Sequence, residues 1–484
     1  MDGRDGSVAA TVDRERPPGW SATGDPLVKF HAPEIVFGAG ALAETGHAAR
    51  RLGALRPFVV TDPGLVEAGW VAELRGHLAE AGLTPVVCSD VSPNPRDAEV
   101  TAAHETYRAN GCDVIIGLGG GSAMDAAKGV AILAGNGGSI LDYRGVDQVR
   151  HEIPPLLMVP STSGTGADVS QFCIVTDTAR RMKVTIMGRA LVPDISVTDP
   201  RLLTTMPDWL NAATGLDALT HGVEAFVSRA HNALADVHAL NAVGLVTTHL
   251  TTTMTRPLDA AARTGMAEAS LAAGLAFTNA ILGATHAMSH QVGGLLDAPH
   301  GVINGILLPH VIRYNARTAP GRYRALARSA GLDVDGMPDE EAAEHLAAHA
   351  RALADEVGVP RSLRAIGLTE DHLGVLAEHS LEDACLTTNP RATDSQDVID
   401  ARMARAANEV ALAYVVTGDD RTVIASDASA LSMFGEPARR VALADEALPF
   451  VAIATDASVV VCPEGSFSAV DGVAAGVIGV ADAI

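Results

Sequence analysis

The sequence is short of aromatic residues and of positive charge. Phe, Trp and Tyr make up 4% of the chain, and 35 Lys and Arg residues stand against 58 Asp and Glu residues, which gives a formal net charge of −23. Nucleic acids and anionic membranes bind proteins through Lys and Arg side chains that neutralise phosphate. The charge balance therefore argues against a nucleic-acid partner and against a membrane partner.

Cysteines and long hydrophobic runs are also scarce. The cysteines stand singly without C-x-x-C spacing and cannot all pair, so we expect reduced, buried side chains at Cys88, Cys112, Cys173, Cys385 and Cys462. No stretch reaches the roughly 18 uninterrupted apolar residues of a spanning helix, and the N-terminus has no apolar run typical of a signal peptide. These absences predict a soluble, cytoplasmic protein.

A chain of 484 residues, 48% of them hydrophobic, has ample material for a buried core but is too long for a single one. Its pattern changes three times along the chain. We expect a flexible tail over residues 1–25, an α/β domain over 26–200, an all-helical domain over 201–405 and a small α/β extension over 406–484.

Short β-branched runs alternate with Ala- and Leu-rich helical stretches in the second of these segments. PFVVT (57–61), PVVC (85–88), DVIIGL (113–118) and LLMV (156–159) have the continuous apolar character of strands buried on both faces. This alternation predicts a parallel sheet flanked by helices. From residue 201 the strand pattern gives way to long helical patterns, which predict an all-α domain.

The chain changes character again after about residue 405. The stretch 411–435 predicts a strand, a turn, a second strand and a helix, and VVVC (459–462) predicts a further strand. Part of this stretch, YVVTGDDRTVIASDASALSMFG, resembles the opening of a PAS-type sensor domain. The alternative is an additional strand–helix layer that packs on the helical domain or on a second copy of the chain.

A glycine cluster separates a predicted strand from a predicted helix. In DVIIGLGGGSAMDAAKG, Gly119, Gly120, Gly121 and Ser122 stand where a backbone could approach a pyrophosphate and the helix N-terminus could stabilise its charge. The alternative is a tight turn, because the full G-x-G-x-x-G pattern is not met. Asp62, at the end of a predicted strand, could accept hydrogen bonds from a ribose 2′-hydroxyl, although Asp is also common in such turns.

Two helical patterns carry metal-ligating residue types at a spacing of four. Asp217 and His221 in GLDALTH share a helix face, as do His286 and His290 in HAMSH, and His300 follows in a Pro/Gly-shaped loop. Three imidazoles and one carboxylate can hold a divalent transition metal with a position left for substrate. The pair His345 and His349 has the same spacing, but its charged helix predicts two solvated side chains.

The motifs GGGSAMDAAK, VPSTSGTGAD, GLDALTH, HAMSH and DAPHG, in this order, resemble the successive signatures of the iron-containing (group III) alcohol dehydrogenases over about residues 27–405. The resemblance implies an N-terminal dinucleotide-binding α/β domain with a parallel sheet and an all-α metal-binding domain, as in the dehydroquinate synthase-like fold. The active site is then expected in the cleft between the two domains.

Motif by motif, the resemblance implies the functional residues. It implies the metal ligands Asp217, His221, His286 and His300. His290 matches a histidine near the substrate that does not ligate the metal and is a candidate proton relay. The implied cofactor contacts are Asp62, Gly119, Gly120, Gly121, Ser122, Asp125, Ser161, Thr162, Thr165 and Lys183. Lys183 falls near the nicotinamide ribose, and Asp62 falls where an acid favours NAD.

The expected activity is reversible hydride transfer between a small primary alcohol and NAD, assisted by Fe(II) or by Zn(II), in a homodimer or larger homo-oligomer. One alternative is a redox- or alcohol-sensing regulatory protein that keeps this fold and signals through residues 406–484. A transhydrogenase with bound nicotinamide is a second alternative. A lyase resembling dehydroquinate synthase ranks last, because the motifs follow the alcohol dehydrogenase pattern.

Overall fold

The computed structural model describes residues 28–180 and 182–393, together with the backbone of five short strands between residues 414 and 479. The tail predicted for residues 1–25 and the helix predicted after residue 424 lie outside the described residues. The division of the chain at residues 200 and 405 stays a prediction.

Within residues 28–180 and 182–200 the structure contains nine strands. They are β1 (Glu34–Phe37), β2 (Phe58–Val60), β3 (Val86–Cys88), β4 (Ile115–Gly119), β5 (Gly145–Val146), β6 (Leu156–Pro160), β7 (Phe172–Asp177), β8 (Met182–Met187) and β9 (Ile195–Thr198). Six of them form one sheet in the order β1-β9-β6-β4-β2-β3, and every neighbouring pair in it is parallel. This confirms the predicted parallel sheet. A second sheet, β5-β8-β7, contains the antiparallel pair β7 and β8.

Helices cover both faces of the parallel sheet. They are α1 (Thr45–Arg51), α2 (Pro63–Glu67), α3 (Trp70–Glu80), α4 (Asp97–Ala109) and α5 (Gly121–Asn136). Successive strand residues point to opposite faces, so Ile115 packs in the core under α4 and α5, whereas Ile116 packs in the core under α1 and α3. Both faces are therefore apolar, as continuous β-branched runs require.

The strand β3 departs from the expectation of strands buried on both faces. Its residues are only half-buried, because β3 pairs with β2 alone and lies at the edge of the sheet. The three other predicted strands are fully buried within β2, β4 and β6. An apolar run indicates a strand, but it does not indicate whether neighbours cover both of its edges.

The second part is helical. Its helices are α6 (Asp208–Val227), α7 (Ala233–Thr255), α8 (Ala260–Ala280), α9 (Ala284–Leu296), α10 (His300–Ala316), α11 (Pro320–Ser329), α12 (Asp339–Glu356) and α13 (Leu373–Leu381). Residues 201–393, all of them described, contain no strand, which confirms the all-α prediction for this range. The helix α6 lies at the centre and is buried on all sides from Asn211 to Val227.

Small residues allow the central helix to be approached closely. A Cβ added to Gly222 of α6 would lie 3.0 Å from the carbonyl oxygen of Ala239 in α7.

Among the described residues no single helix has both the length and the apolarity to cross a membrane. The bent pair α8 and α9, with an angle of 105° between them, meets that requirement by length and composition alone.

The amphipathic helix α12 carries the histidine pair that the sequence assigns to solvent. His345 is exposed, as expected, but His349 is half-buried, and this burial lowers its pKa. The expectation of two solvated histidines is therefore wrong for His349, because its position faces partly toward the neighbouring helices.

Two small groups of strands follow residue 405. The strands β10 (Tyr414–Val416) and β11 (Thr422–Ile424) form an antiparallel pair, which confirms the two predicted strands, whereas the turn predicted between them lies outside the described residues. The strands β12 (Phe450–Ala454), β13 (Val459–Pro463) and β14 (Gly476–Gly479) form an antiparallel sheet in the order β13-β12-β14. The predicted strand VVVC lies within β13.

Candidate active site

A cleft of about 590 Å³ lies between the carboxyl ends of the parallel strands and the helical part. Its volume is within the range of small-molecule and cofactor sites. The residues singled out from the sequence line this one cleft, with the exception of Gly119: Asp62, Gly120, Gly121, Ser122, Asp125, Ser161, Thr162, Thr165, Lys183, Asp217, His221, His286, His290 and His300. The structure therefore brings the glycine cluster and the metal-ligating side chains together.

The glycine loop joins the end of β4 to the start of α5. A Cβ at Gly120 would lie 3.0 Å from the Thr162 side chain, and one at Gly121 would lie 2.9 Å from that of Thr165. Only glycine lets this loop pack so closely on segment 161–165. Gly120 is the N-cap of α5 and has no side chain to offer, so first-turn N–H groups of α5 are available to an anionic ligand.

Segment 161–165 contributes hydroxyl groups to the same wall. The backbone N–H of Ser161 donates to the carbonyl oxygen of Gly119 (2.9 Å), which holds the segment against the loop. The Oγ1 of Thr162, which lines the cleft, is buried and has no hydrogen-bond partner among the described residues. Buried hydroxyls normally have partners, so this wall fits a polar ligand such as a dinucleotide.

Asp62 is the N-cap residue of α2. One carboxylate oxygen accepts a hydrogen bond from the N–H of Leu65 (3.1 Å), and the other lies 3.2 Å from the place a Cβ at Gly119 would occupy. Burial raises the pKa of Asp62. Asp62 therefore does stabilise a turn, which was the alternative to ribose binding. Its second carboxylate oxygen faces the glycine loop.

Charged groups are buried behind the loop. Burial raises the pKa of Asp125 to about 7, against the influence of Lys128, and lowers the pKa of Lys183. Lys128 was not predicted as a site residue, although it ends the motif GGGSAMDAAK. Its Nζ donates to the carbonyl oxygens of Ser170 (2.7 Å) and Phe172 (2.8 Å), which ties α5 to the segment leading into β7.

A hydrogen bond joins the α/β part and the helical part across the cleft. The Nδ2 of Asn94, in the α/β part, donates to the Oδ1 of Asp297 (2.7 Å), which follows α9. Both residues have positive φ angles, 56° and 52°, which non-glycine residues seldom adopt. The N–H of Asn94 also donates to the Oγ of Ser122 (3.1 Å), so this contact reaches the glycine loop.

Four side chains from three helices converge below the loop. The Nε2 atoms of His221, His286 and His300 lie 3.9, 3.7 and 3.7 Å from the Oδ1 of Asp217. Two ligand atoms each about 2.1 Å from one ion can be at most about 4.2 Å apart, so each nitrogen could share a metal with this oxygen. His300 was expected in a loop, but it is the first residue of α10, directly after Pro299.

The outer nitrogen of each imidazole has its own partner. The Nδ1 of His221 lies 3.1 Å from the carbonyl oxygen of Gly164, and the Nδ1 of His286 lies 2.7 Å from the Oε2 of Glu224. The Nδ1 of His300 lies 3.3 Å from the Oγ of Ser289. Such bonds fix the ring orientation and leave Nε2 for a metal. The donor types therefore suit a divalent transition metal: the ligand atoms of Asp217, His221 and His286 all lie within 4.8 Å of one another, and His300 lies outside this group.

The electrostatics of the cluster suit ligation. Burial lowers the pKa of His221 to about 4 and that of His300 well below its ordinary value, so both rings are neutral at pH 7. Burial also opposes the charged form of His286, but the carboxylates of Asp217 and Glu224 outweigh it and raise the pKa of His286 to about 9. A proton and a divalent cation therefore compete for the Nε2 of His286.

His290 lies one turn after His286 on α9 and stacks on His300, with 5.3 Å between ring centroids. Its Nδ1 lies 2.9 Å from the Oδ2 of Asp383. Asp383 also accepts a hydrogen bond from the N–H of Cys385 (2.9 Å), and its pKa is lowered because His290 outweighs the effect of burial. An Nδ1–H that donates to this carboxylate leaves the Nε2 of His290 as a proton acceptor.

Three residues of this network were not predicted from the sequence: Glu224, Asn304 and Asp383. The Nδ2 of Asn304 donates to the Oδ1 of Asp217 (2.7 Å) and lies 3.3 Å from the Nε2 of His286. Helical spacing could have found two of them. Glu224 stands seven residues after Asp217, and Asn304 stands four after His300, each as a polar residue on an apolar helix.

Fold and site together define a two-domain protein in which a dinucleotide-type α/β sheet and a helical domain face each other across one cleft. The family profile of iron-containing alcohol dehydrogenases matches residues 32–200, and the C-terminal profile of the Fe-containing alcohol dehydrogenase family matches residues 211–405. The chain belongs to the iron-containing alcohol dehydrogenase family, which confirms the resemblance seen in its motifs.

Individual relatives agree with this placement. The chain is 40% identical over 365 residues to the 1,3-propanediol dehydrogenase of Citrobacter freundii, covering 75% of this chain and 94% of that one. It is 33% identical over 369 residues to the NAD-dependent methanol dehydrogenase of Bacillus methanolicus, covering 76% and 97%.

Solved structures show the same architecture. A crystal structure of 1,3-propanediol oxidoreductase superposes with a TM-score of 0.76 at 37% identity and covers 79% of this chain and all of that one. The sulfoacetaldehyde reductase of Bifidobacterium kashiwanohense in complex with NAD⁺ superposes with a TM-score of 0.71 at 30% identity, covering 80% and 100%.

Proposed function

We propose that this protein is an NAD-dependent, metal-assisted dehydrogenase of small primary alcohols that also runs in the reverse direction on aldehydes. The observation that carries the proposal is the arrangement of three Nε2 atoms within 3.9 Å of the Oδ1 of Asp217, in the cleft that the glycine loop also lines. Relatives named for 1,3-propanediol, methanol and lactaldehyde support small alcohols and aldehydes as substrates.

In this proposal Asp217, His221, His286 and His300 hold the metal. A divalent metal at this position supplies Lewis-acid polarisation of an alcohol oxygen. Fe(II) is the metal we propose on the family membership, and three nitrogen donors with one oxygen donor suit Zn(II) as well. The neutral rings of His221 and His300 are in the form that ligation requires.

The glycine loop residues Gly119, Gly120, Gly121 and Ser122 receive the pyrophosphate of NAD at the N-terminus of α5. The hydroxyls of Ser161, Thr162 and Thr165 and the side chains of Asp125 and Lys183 line the cofactor side of the cleft. Asp62 accepts from the ribose 2′-hydroxyl and repels a 2′-phosphate, which favours NAD over NADP.

His290 receives the proton of the alcohol. Its Nδ1–H donates to Asp383, so its Nε2 is free to accept, and the buried carboxylate stabilises the positive charge that the ring acquires. Phe277, which stacks on His221 at 4.4 Å between centroids, and Leu282 make the substrate end apolar and exclude water.

The cytoplasmic location and the homo-oligomeric state stay predictions, as does the absence of nucleic-acid and membrane partners. The net charge of −23 supports the last of these.

The test is NAD-dependent oxidation of a panel of short primary alcohols and diols by anaerobically purified, Fe(II)-loaded protein, with the reverse reaction on the matching aldehydes. His300→Ala removes the ligand with the most exposed side chain, 24%, and His345→Ala is the matched control on the surface of α12. We expect turnover by the wild type and by H345A and its loss in H300A. A wild-type protein that binds NAD and metal but converts none of these substrates in either direction refutes the proposal.

A further inference from the structure

Glu224 is a buried carboxylate with an unusual number of partners. It is 2% exposed, and it accepts hydrogen bonds from the backbone N–H groups of Gly283 (3.0 Å), Thr285 (2.6 Å) and His286 (3.4 Å). Its Oε2 also lies 2.7 Å from the Nδ1 of His286. A carboxylate that costs so much to bury is retained where its charge has a use.

The position of Glu224 on α6 connects it with two metal ligands. Seven residues separate it from Asp217 and three from His221, so all three lie on one face of the helix. One rigid helix therefore supplies two of the proposed ligands and the partner of a third.

Glu224 also determines where α9 begins. A helix N-terminus leaves its first N–H groups without partners inside the helix. Here the N–H groups of residues 283, 285 and 286 donate to Glu224, and that of Ala284 donates to the Oδ1 of Asn389 (3.1 Å). His286 is the third residue of α9, so its backbone and its ring are both held by the same carboxylate.

Charge balance points in the same direction. Among the four proposed ligands only Asp217 is an anion, which neutralises half of a divalent cation in a buried site. Glu224 places a second negative charge one imidazole away, on the outer nitrogen of His286. A carboxylate bonded to the outer nitrogen of a ligating histidine raises the basicity of the ring and fixes its tautomer.

We propose that Glu224 is a positioning residue of the metal site, which orients His286 through its Nδ1 and supplies the second negative charge that a divalent cation needs there. This inference rests on the metal site of the proposed function. Its test measures metal binding directly, so turnover is not required.

The experiment titrates Co(II) into metal-free full-length protein against a chromophoric chelator and records the d–d absorption of the bound ion. Glu224→Gln keeps the size of the side chain but removes the charge. Asn389→Ala is the matched control, because it removes the other side-chain acceptor at the start of α9 without touching a proposed ligand. NAD binding and the melting temperature are measured for each variant.

We expect E224Q to bind Co(II) about 10- to 100-fold more weakly than the wild type, with an altered d–d spectrum and unchanged NAD affinity. N389A should melt at a lower temperature and bind Co(II) within about threefold of the wild type, which separates loss of helix capping from loss of ligand orientation. If E224Q does not fold, Glu224→Asp, with a carboxylate that cannot reach all four partners, takes its place with the same expected loss.

A folded Glu224 variant with wild-type affinity and spectrum overturns the inference, as does an equal loss in N389A. If the wild-type protein binds no Co(II), that result contradicts the proposed metal site itself. The two failures are therefore distinguishable.

Discussion

Gly301 is a position at which a single added methyl group should disturb the proposed metal site. It follows His300 in α10 and packs against α6, where an added Cβ would lie 2.5 Å from the carbonyl carbon of Ala213. Ala213 stands four residues before Asp217, so its carbonyl accepts the N–H of Asp217 within the helix. The added methyl group of Gly301→Ala, on the helix α10 that carries His300, would therefore collide with the turn of α6 that carries Asp217.

The required displacement can be worked out. Widening the 2.5 Å separation to the 3.4 Å of an ordinary contact moves α10 and α6 apart by at least about 0.9 Å, because the carbonyl oxygen of Ala213 lies closer still and these backbone atoms cannot rotate away. Metal–ligand bonds tolerate about 0.2 Å. His300 and Asp217 can then no longer share an ion. Metal affinity should fall by at least ~10- to 100-fold, which is the loss expected when a metal ligand loses its hydrogen-bond partner.

Gly305→Ala is the matched control one turn further along α10. Its added Cβ would lie 2.6 Å from the Cδ1 of Leu216, a side-chain tip that can turn aside. In both variants the change from Gly to Ala stabilises the helix by about 1 kcal/mol. In G301A the overpacked contact also destabilises the protein by roughly 1–3 kcal/mol.

Co(II) affinity and the melting temperature of the metal-free protein are the measurements. We expect G305A to bind Co(II) like the wild type and G301A to bind it at least tenfold more weakly. Equal affinities in the two variants would show that the contact between α10 and α6 does not set the ligand geometry.

Three further predictions concern groups around the cleft. Burial raises the pKa of Asp125 to about 7, from an ordinary value near 4, so its contribution to stability is complete in acid and is lost as the pH rises through 7. The free energy of unfolding of Asp125→Asn should therefore rise relative to that of the wild type by up to about 1.4 kcal/mol per pH unit between about pH 5 and 7, as urea unfolding can measure, and a difference that stays constant with pH contradicts this. Burial raises the thiol pKa of Cys173 and Cys385 well above the ordinary value, so at pH 8 both should resist alkylation in the folded protein, and among the cysteines whose side chains are described the half-buried Cys88 should react first, as mass spectrometry can show. Asp62→Ser keeps an N-cap residue but removes the charge, so kcat/KM with NADP should rise at least about tenfold relative to NAD; an unchanged ratio removes Asp62 from cofactor choice.

The sequence was most informative where function depends on local spacing. Asp217 and His221 are one helical turn apart, so their spacing predicted a shared helix face. The glycine cluster was visible because strand, loop and helix follow one another without a break. These features involve neighbours along the chain, and periodicity describes such neighbours well.

The partners of the ligands were not predicted, because they come from distant parts of the chain. Glu224 meets His286 across 62 residues, and Asp383 meets His290 across 93. Nothing local to Asp383 indicates which of the histidines it will contact. Tertiary packing alone decides such pairs.

Burial of individual positions was predicted less well than the elements that carry them. The run PVVC does form β3, but its place at the edge follows from the order of strands in space, which an apolar pattern does not contain. His349 likewise lies on a helix of the predicted kind, although its ring faces inward more than the charge pattern of α12 indicated. The antiparallel pair β7 and β8 was not recognised within the α/β alternation.

The carbonyl oxygen of Gly164 belongs to the segment that packs on the glycine loop, yet it holds the Nδ1 of His221. The segment packs closely on α6, since a Cβ at Gly164 would lie 2.7 Å from the carbonyl carbon of Thr214 in that helix. A dinucleotide that shifts this segment must also tilt an imidazole of the other domain. Thermodynamic reciprocity then requires that a metal change the affinity for the dinucleotide by the same factor as the dinucleotide changes the affinity for the metal.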